Sequence, residues 1–231
     1  MPLSSHALTL GTLMLGVLAL IATPSVQAKG QVCSDSGWVV GAEDGTDCDD
    51  WLQGSSDDDV LHGYRGDDDL FGHAGDDILY GGRGKDTLIG GDDDDVLKGG
   101  RGDDLLVGND GDDDLYGGRG DDTLVGDGGD DVLKGGPGAD DFDYAAYPLE
   151  HNGSDKITDF KPGTDVIVLW GSMKNGEFIG YTGFDALSLT LVRVRESRND
   201  TILDLSAHGG GQVRLEGVNP ADLSAGDFAF Y

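Results

Sequence analysis

Basic residues, cysteine and proline are all scarce in this chain. Lys and Arg number 15 against 45 Asp and Glu, a formal net charge of −30 over 231 residues. So large an acidic excess excludes nucleic acid and anionic membrane surfaces as electrostatic partners. Cys33 and Cys48 are too few for a structural zinc site, and no flanking His supplies the usual ligand spacing. In an oxidising compartment these two cysteines most simply form one disulfide. HExxH is absent, which excludes that class of zinc protease. HisGlyGlyGly at 208–211 has no GxSxG nucleophile elbow to serve, so it reads as a hairpin turn. The one long apolar run, from Ala7 to Ala22, is short for a membrane span of about 20 residues and is followed by a small-residue site at Ala28. Residues 1–28 read as a cleaved export signal, with an uncleaved anchor as the alternative because His6 is the only positive group ahead of the run. The mature chain then has no membrane span.

Glycine and aspartate are what the chain has in abundance. With 41 Gly and so much uncompensated charge, composition alone describes a self-repelling, disordered segment. The order of residues says otherwise. From Gly45 to Asp143 the chain divides without insertion into eleven rows of nine, among them GSSDDDVLH, GGRGKDTLI and GGRGDDLLV. Position 1 is Gly and position 6 is Asp in every row, and position 8 is Leu except for Phe142 in the last. Position 4 is Gly in eight rows, with Cys48, Asp57 and Asp93 as exceptions.

Recurrent Gly permits tight turns and close backbone approach, so positions 1 to 6 are expected to turn. Positions 7 to 9 favour a short strand in which only position 8 faces inward. One turn per row reverses the chain, so two rows close a circuit and residue i stacks on i+18. The fold class is therefore all-β, a flattened parallel solenoid. Its inner columns are Leu52, Leu70, Leu88, Leu106, Leu124 and Phe142 on one wall, and Leu61, Leu79, Leu97, Leu115 and Leu133 on the other.

The rows contain 30 Asp, no Glu and seven basic residues. Aspartates stacked about 4.8 Å apart repel by roughly 3 to 4 kcal/mol per neighbouring pair at an effective dielectric near 20. Order requires a cation between the turns. Carboxylate and carbonyl oxygens in a flexible backbone suit Ca²⁺ better than Mg²⁺, which demands tight octahedra.

The rows match GGxGxDxUx, and the chain is identified by them as a member of the RTX family, the hemolysin-type calcium-binding repeat proteins. The resemblance implies a right-handed parallel β-roll with Ca²⁺ held between stacked turns, completed by carbonyl oxygens. The implied ligands are Asp50, Asp59, Asp68, Asp77, Asp86, Asp95, Asp104, Asp113, Asp122, Asp131 and Asp140. Alternate rows share an edge, so six turns and five turns leave up to about nine gaps for calcium. At Cys48, Asp57 and Asp93 a side chain is expected on a backbone site built for Gly.

After the rows, DKITDFKPGTDVIVL and the end DFAFY resemble the region that follows the repeats in secreted RTX proteins, which implies a C-terminal β capping domain with a secretion-type signal. Alternating apolar residues mark strands near 156–160, 165–169, 187–194, 201–205 and 212–215. The expected division is 1–28 signal peptide, 29–44 N-terminal cap with the disulfide, 45–143 repeats and 144–231 C-terminal β cap. Trp38 and Trp51 are candidates for shielding the first open edge.

No nucleophile, base or zinc set converges in 144–231, so a secreted or extracellular, non-catalytic structural or interaction module is expected. Its partners would be calcium ions and an extracellular protein or cell-surface component. A surface adhesin or matrix component and a small secreted enzyme are the alternatives. ArgGlyAsp at 65–67, 101–103 and 119–121 follows from the row pattern and is weak support for adhesion. The outer position-9 columns, Phe71, Ile89, Val107 and Val125 on one wall and His62, Tyr80, Lys98, Tyr116 and Lys134 on the other, are candidate partner surfaces.

Overall fold

The computed structural model describes residues 37–40, 44–144, 153–169, 172–174, 177–179, 195–197, 200–205 and 211–230. The export segment 1–28, Cys33 and the strand expected at 187–194 lie outside the described residues. Cys48 is disulfide-bonded.

Strands follow the rows. They are β1 Gly37–Val40, β2 Asp50–Gln53, β3 Val60–Arg65, β4 Asp69–Ala74, β5 Ile78–Arg83, β6 Thr87–Asp92, β7 Val96–Arg101, β8 Leu105–Asp110, β9 Asp114–Arg119, β10 Thr123–Gly128, β11 Val132–Lys134 and β12 Asp141–Tyr144. Then come β13 Ser154–Ile157, β14 Val166–Leu169, β15 Ser172–Lys174, β16 Glu177–Ile179, β17 Arg195–Ser197, β18 Asp200–Asp204, β19 Gln212–Leu215 and β20 Phe228–Phe230. Two nine-stranded sheets result, one ordered β1-β2-β4-β6-β8-β10-β12-β14-β20 and the other β17-β18-β19-β13-β11-β9-β7-β5-β3. The protein is an all-β parallel solenoid of about five turns. Among the described residues no helix is long and apolar enough to cross a membrane.

Register is i to i+18 as the row length demands: Leu52 pairs with Leu70, Leu61 with Leu79, and Leu106 with Leu124. The position-8 side chains are 0 to 1% exposed and form the core between the sheets. Within each six-residue strand the buried residues are the apolar side chain of position 8 and the Gly of position 1, with a half-buried residue between them.

The expectation of three-residue strands is corrected. Pairing runs on through positions 2 and 3 of the next row, as in Gly82 with Gly100 and Arg83 with Arg101, so full strands have six residues and the turn is confined to positions 4 to 6. Glycine weakens a strand but does not prevent its backbone from pairing.

The columns also outlast the eleven rows. Val132 and Leu133 pair with Lys156 and Ile157, and Asp141, Phe142 and Asp143 pair with Val166, Ile167 and Val168. Asp155 and Asp165 thereby continue position 6, while buried Ile157 and Ile167 continue position 8. FKPGTDVIV (160–168) is a degenerate row with Gly163 at position 4 and φ +81°. Beyond it β18 and β19 pair antiparallel across 206–210, where the hairpin turn was expected, and β20 adds to β14.

Candidate metal centre

Position 6 sits at the end of each turn, where the strand begins, and its side chain points back into the roll. Asp68, Asp77, Asp86, Asp95, Asp104, Asp113, Asp122, Asp131 and Asp140 are at most 2% exposed. Their Oδ1 atoms form a ladder along each edge: the N–H of each position-6 residue donates to the Asp Oδ1 one circuit later, as in Asp86 N to Asp104 Oδ1 at 2.9 Å and Asp95 N to Asp113 Oδ1 at 2.8 Å. The ladder runs from Asp50 and Asp59 to Asp165 and Asp155.

Oδ2 divides the rows into two kinds. In those nine aspartates Oδ2 is buried and accepts no hydrogen bond. In Asp50 and Asp59 it is satisfied: Thr46 donates its N–H at 2.6 Å and its hydroxyl at 2.8 Å to Asp50, and Ser55 donates its N–H at 2.6 Å and its hydroxyl at 2.9 Å to Asp59. The backbone at position 2 explains the difference. In rows 3 to 11 it lies at positive φ, from Tyr64 at +74° and His73 at +91° to Gly100 at +113° and Gly136 at +106°, whereas Thr46 and Ser55 do not. Positive φ belongs to the turn that leaves Oδ2 without its row's N–H.

The same turns account for Cys48, Asp57 and Asp93. Only Asp93 occupies the glycine conformation, at φ +79°. Cys48 and Asp57 were expected to, but their N–H groups donate to Thr46 Oγ1 and Ser55 Oγ, each at 3.2 Å, in a hydroxyl-closed turn that needs no left-handed residue.

Position 1 must be Gly because the carboxylate occupies the space of its side chain. A Cβ on Gly63 would stand 2.4 Å from Asp68 Oδ2 and 2.7 Å from the carbonyl oxygen of Gly81, and one on Gly99 would stand 2.5 Å from Asp104 Oδ2 and 2.7 Å from the Gly117 oxygen. At these two rows the carboxylate and a glycine carbonyl of the neighbouring turn both crowd the space a side chain at position 1 would need. Among the described residues no three His, Cys, Asp or Glu side chains converge. A cation here would be held by carboxylate oxygen together with backbone carbonyls, an all-oxygen donor set.

Burial pushes these carboxyls up, only partly offset by the backbone N–H each accepts: Asp68, Asp95 and Asp104 to about 7, Asp113 to about 8, and Asp86, Asp122 and Asp131 to about 6. Asp77 and Asp140 move in the same direction for the same reason. A buried carboxylate oxygen without a donor is costly as an anion, and a divalent cation would remove that cost.

The RTX calcium-binding nonapeptide repeat model matches residues 44–79, 71–106, 80–115, 89–124 and 107–142. Residues 44–142 are RTX calcium-binding nonapeptide repeats. The RTX roll is thus a calcium-binding roll, built on the rows whose turns are described above. The chain is also similar to the extracellular lipase LipA from Serratia marcescens, with 18% identity and a TM-score of 0.38 over 83% of this chain and 42% of the lipase. It spans less than half of that lipase's length. A second similar structure is the AlgE6R3 subunit of the Azotobacter vinelandii mannuronan C5-epimerase, with 25% identity and a TM-score of 0.23 over 90% of this chain and 86% of that subunit. No curated protein matches the chain.

A second carboxylate ladder was not read from the rows. At position 5 the N–H donates backward, to the Asp Oδ1 one circuit earlier: Asp112 N to Asp94 at 2.8 Å, Asp121 N to Asp103 at 3.0 Å and Asp130 N to Asp112 at 2.8 Å. The near-constant Asp at that position was its signal. The ArgGlyAsp aspartates belong to this ladder, with Asp67 accepting from Lys85 N, Asp103 from Asp121 N and Asp121 from Ala139 N, so their carboxylates already serve the roll.

Six of the seven basic residues of the repeats fall on one outer face: Arg65, Arg83, Arg101 and Arg119 stack in register, flanked by Lys98 and Lys134. His62 and Tyr80 stack at 4.9 Å beside them, and Lys98 Nζ lies 4.9 Å from the Tyr80 ring centre. His62, Tyr64, Tyr80, Arg83 and Arg101 border a shallow groove of about 360 Å³.

Proposed function

We propose that this chain is a secreted, non-catalytic module whose RTX roll is ordered by calcium at nine position-6 aspartates. The observation that carries this reading is the set of nine buried Oδ2 atoms without a hydrogen bond, as many as the gaps between stacked turns of the eleven rows. Asp68, Asp86, Asp104, Asp122 and Asp140 serve one edge, and Asp77, Asp95, Asp113 and Asp131 serve the other. Bound calcium supplies the positive charge that the stacked carboxylates lack. Asp50 and Asp59 begin the columns and are closed by their own rows' hydroxyls. Residues 1–28 act as the export signal, Cys33 pairs with Cys48 to tie the N-terminal cap, and residues 144–231 close the far end. Nothing in this reading requires a catalytic group.

The test compares single carboxamide variants by calcium-binding stoichiometry at pH 7.5. Asp104→Asn is expected to bind one ion fewer than the parent, and Asp50→Asn the same number as the parent. Equal stoichiometry in the parent and Asp104→Asn would contradict the assignment.

A second reading, a cell-surface adhesin or matrix component, is favoured by the arginine column. Arg83, Arg101 and Arg119 form no ion pair with a described residue even though the chain carries a net charge of −30. Retention on washed cells that is lost with chelator and with Arg83→Glu/Arg101→Glu would support it. Retention unaffected by either would oppose it.

A further inference from the structure

The N-terminal ends of the ion columns are closed by Thr46 and Ser55, and the question is what closes the far end of the longer column. Asp140 is followed on its edge by Asp165, whose Oδ1 accepts the Asp140 N–H at 3.3 Å. A further ion gap would be expected between their turns. The row containing Asp165 is not built like rows 3 to 11. Its position 2 is Lys161, which lies outside the left-handed region, and the Lys161 N–H donates to Asp165 Oδ2 at 2.8 Å. That is the bond Thr46 makes to Asp50 and Ser55 makes to Asp59. The Lys161 side chain reaches the preceding turn, where its ammonium donates to the carbonyl oxygen of Gly136. Asp159 accepts the N–H groups of Gly135 at 3.1 Å and Gly136 at 3.0 Å, fixing the same turn from the other side.

We infer that Lys161 is a tethered cation that ends this calcium column, its ammonium taking the place of an ion between the Gly135–Gly138 turn and the Asp165 turn. The inference rests on the calcium reading of the position-6 aspartates and adds to it a residue that sets how many ions the roll takes. Two observations converge. The Asp165 Oδ2 is satisfied from within its row, unlike the nine upstream. A glycine carbonyl of the preceding turn on the same edge accepts from the Lys161 ammonium. A monovalent group on the chain stops the repeat where a free divalent ion would let another turn add.

The experiment counts calcium bound to the full protein by equilibrium dialysis, with far-UV circular dichroism confirming the fold. The parent and Lys161→Arg are expected to bind nine ions. Lys161→Gly removes the ammonium and frees position 2 to adopt the left-handed turn, and is expected to bind ten. Should Lys161→Gly fail to fold, Lys161→Met removes the charge alone and is expected to bind the tenth ion at higher free calcium. Nine ions in every variant that folds would overturn the role of Lys161 while leaving the nine-site reading intact. Binding of no ions by the parent would overturn that reading itself.

Discussion

At the scale of single residues, two glycines that look alike in sequence differ in what surrounds them. Gly102 has φ +131°, and a Cβ there would stand 1.6 Å from the carbonyl oxygen of Gly84. Gly217 has φ +69° with nothing within 4 Å of an added Cβ. Gly217→Ala is expected to cost about 1 kcal/mol, the cost of placing an L-residue in the left-handed region. Gly102→Ala must also displace a stacked turn and is expected to cost more than about 3 kcal/mol. Denaturant midpoints in saturating calcium would measure both, and equal losses would contradict the packing. Tyr64 is the reverse case: a bulky residue at φ +74° where rows 5, 6, 7, 9 and 11 have Gly. Position 8 was fully legible in the sequence because a nine-residue period with one invariant apolar site admits a single inward column per wall.

At the scale of the repeated turn, aspartates at positions 5 and 6 do different work. In rows 3 to 11 the position-6 aspartate is buried and keeps one oxygen free of hydrogen bonds, while the position-5 aspartate Asp112 is exposed and spends an oxygen on the neighbouring turn's N–H. Asp112→Ala is therefore expected to lose about 1 kcal/mol of stability, the net worth of one such bond, with no change in the number of calcium ions bound. A drop in ion count would place position 5 in the metal shell instead. The row motif located all eleven position-6 residues but not their division into nine and two, because that division depends on φ at position 2. The visible signal was Thr46 and Ser55, the only Ser or Thr at position 2 among the eleven rows. The continuation through Asp155 and Asp165 was hidden for another reason: the step from Asp131 to Asp155 is 24 residues and that from Asp140 to Asp165 is 25, which breaks a strict period. The hydrogen-bond ladder tolerates such insertions, since register is fixed by the pairing of Leu133 with Ile157 and of Phe142 with Ile167.

At the scale of the whole molecule, charge and protonation decide whether the roll exists. Seven of the position-6 carboxyls, those of Asp68, Asp86, Asp95, Asp104, Asp113, Asp122 and Asp131, are raised to about 6 to 8 in the folded chain, against about 3.9 for an unfolded Asp. Between these limits the empty roll holds more protons than the unfolded chain, so its stability falls as pH rises through about 4 to 8. Calcium requires the ionised carboxylates, so its affinity moves the opposite way and rises with pH over the same window. In chelator, β content is thus expected to be higher at pH 4.5 than at pH 8, and the calcium concentration needed to order the chain is expected to fall as pH increases. Circular dichroism at a series of pH values would check both, and a pH-independent calcium midpoint would contradict the linkage. The same unbalanced charge leaves the arginine face as the one strongly cationic surface of the repeats.

The most direct test of calcium as the agent of folding is a calcium titration of the full chain at pH 7.5 in which bound ions and far-UV circular dichroism are followed on the same samples. The β signal is expected to be absent in chelator and to develop together with ion uptake, reaching its plateau at nine bound ions. A β signal already complete in chelator, with ions binding afterwards or not at all, would contradict it.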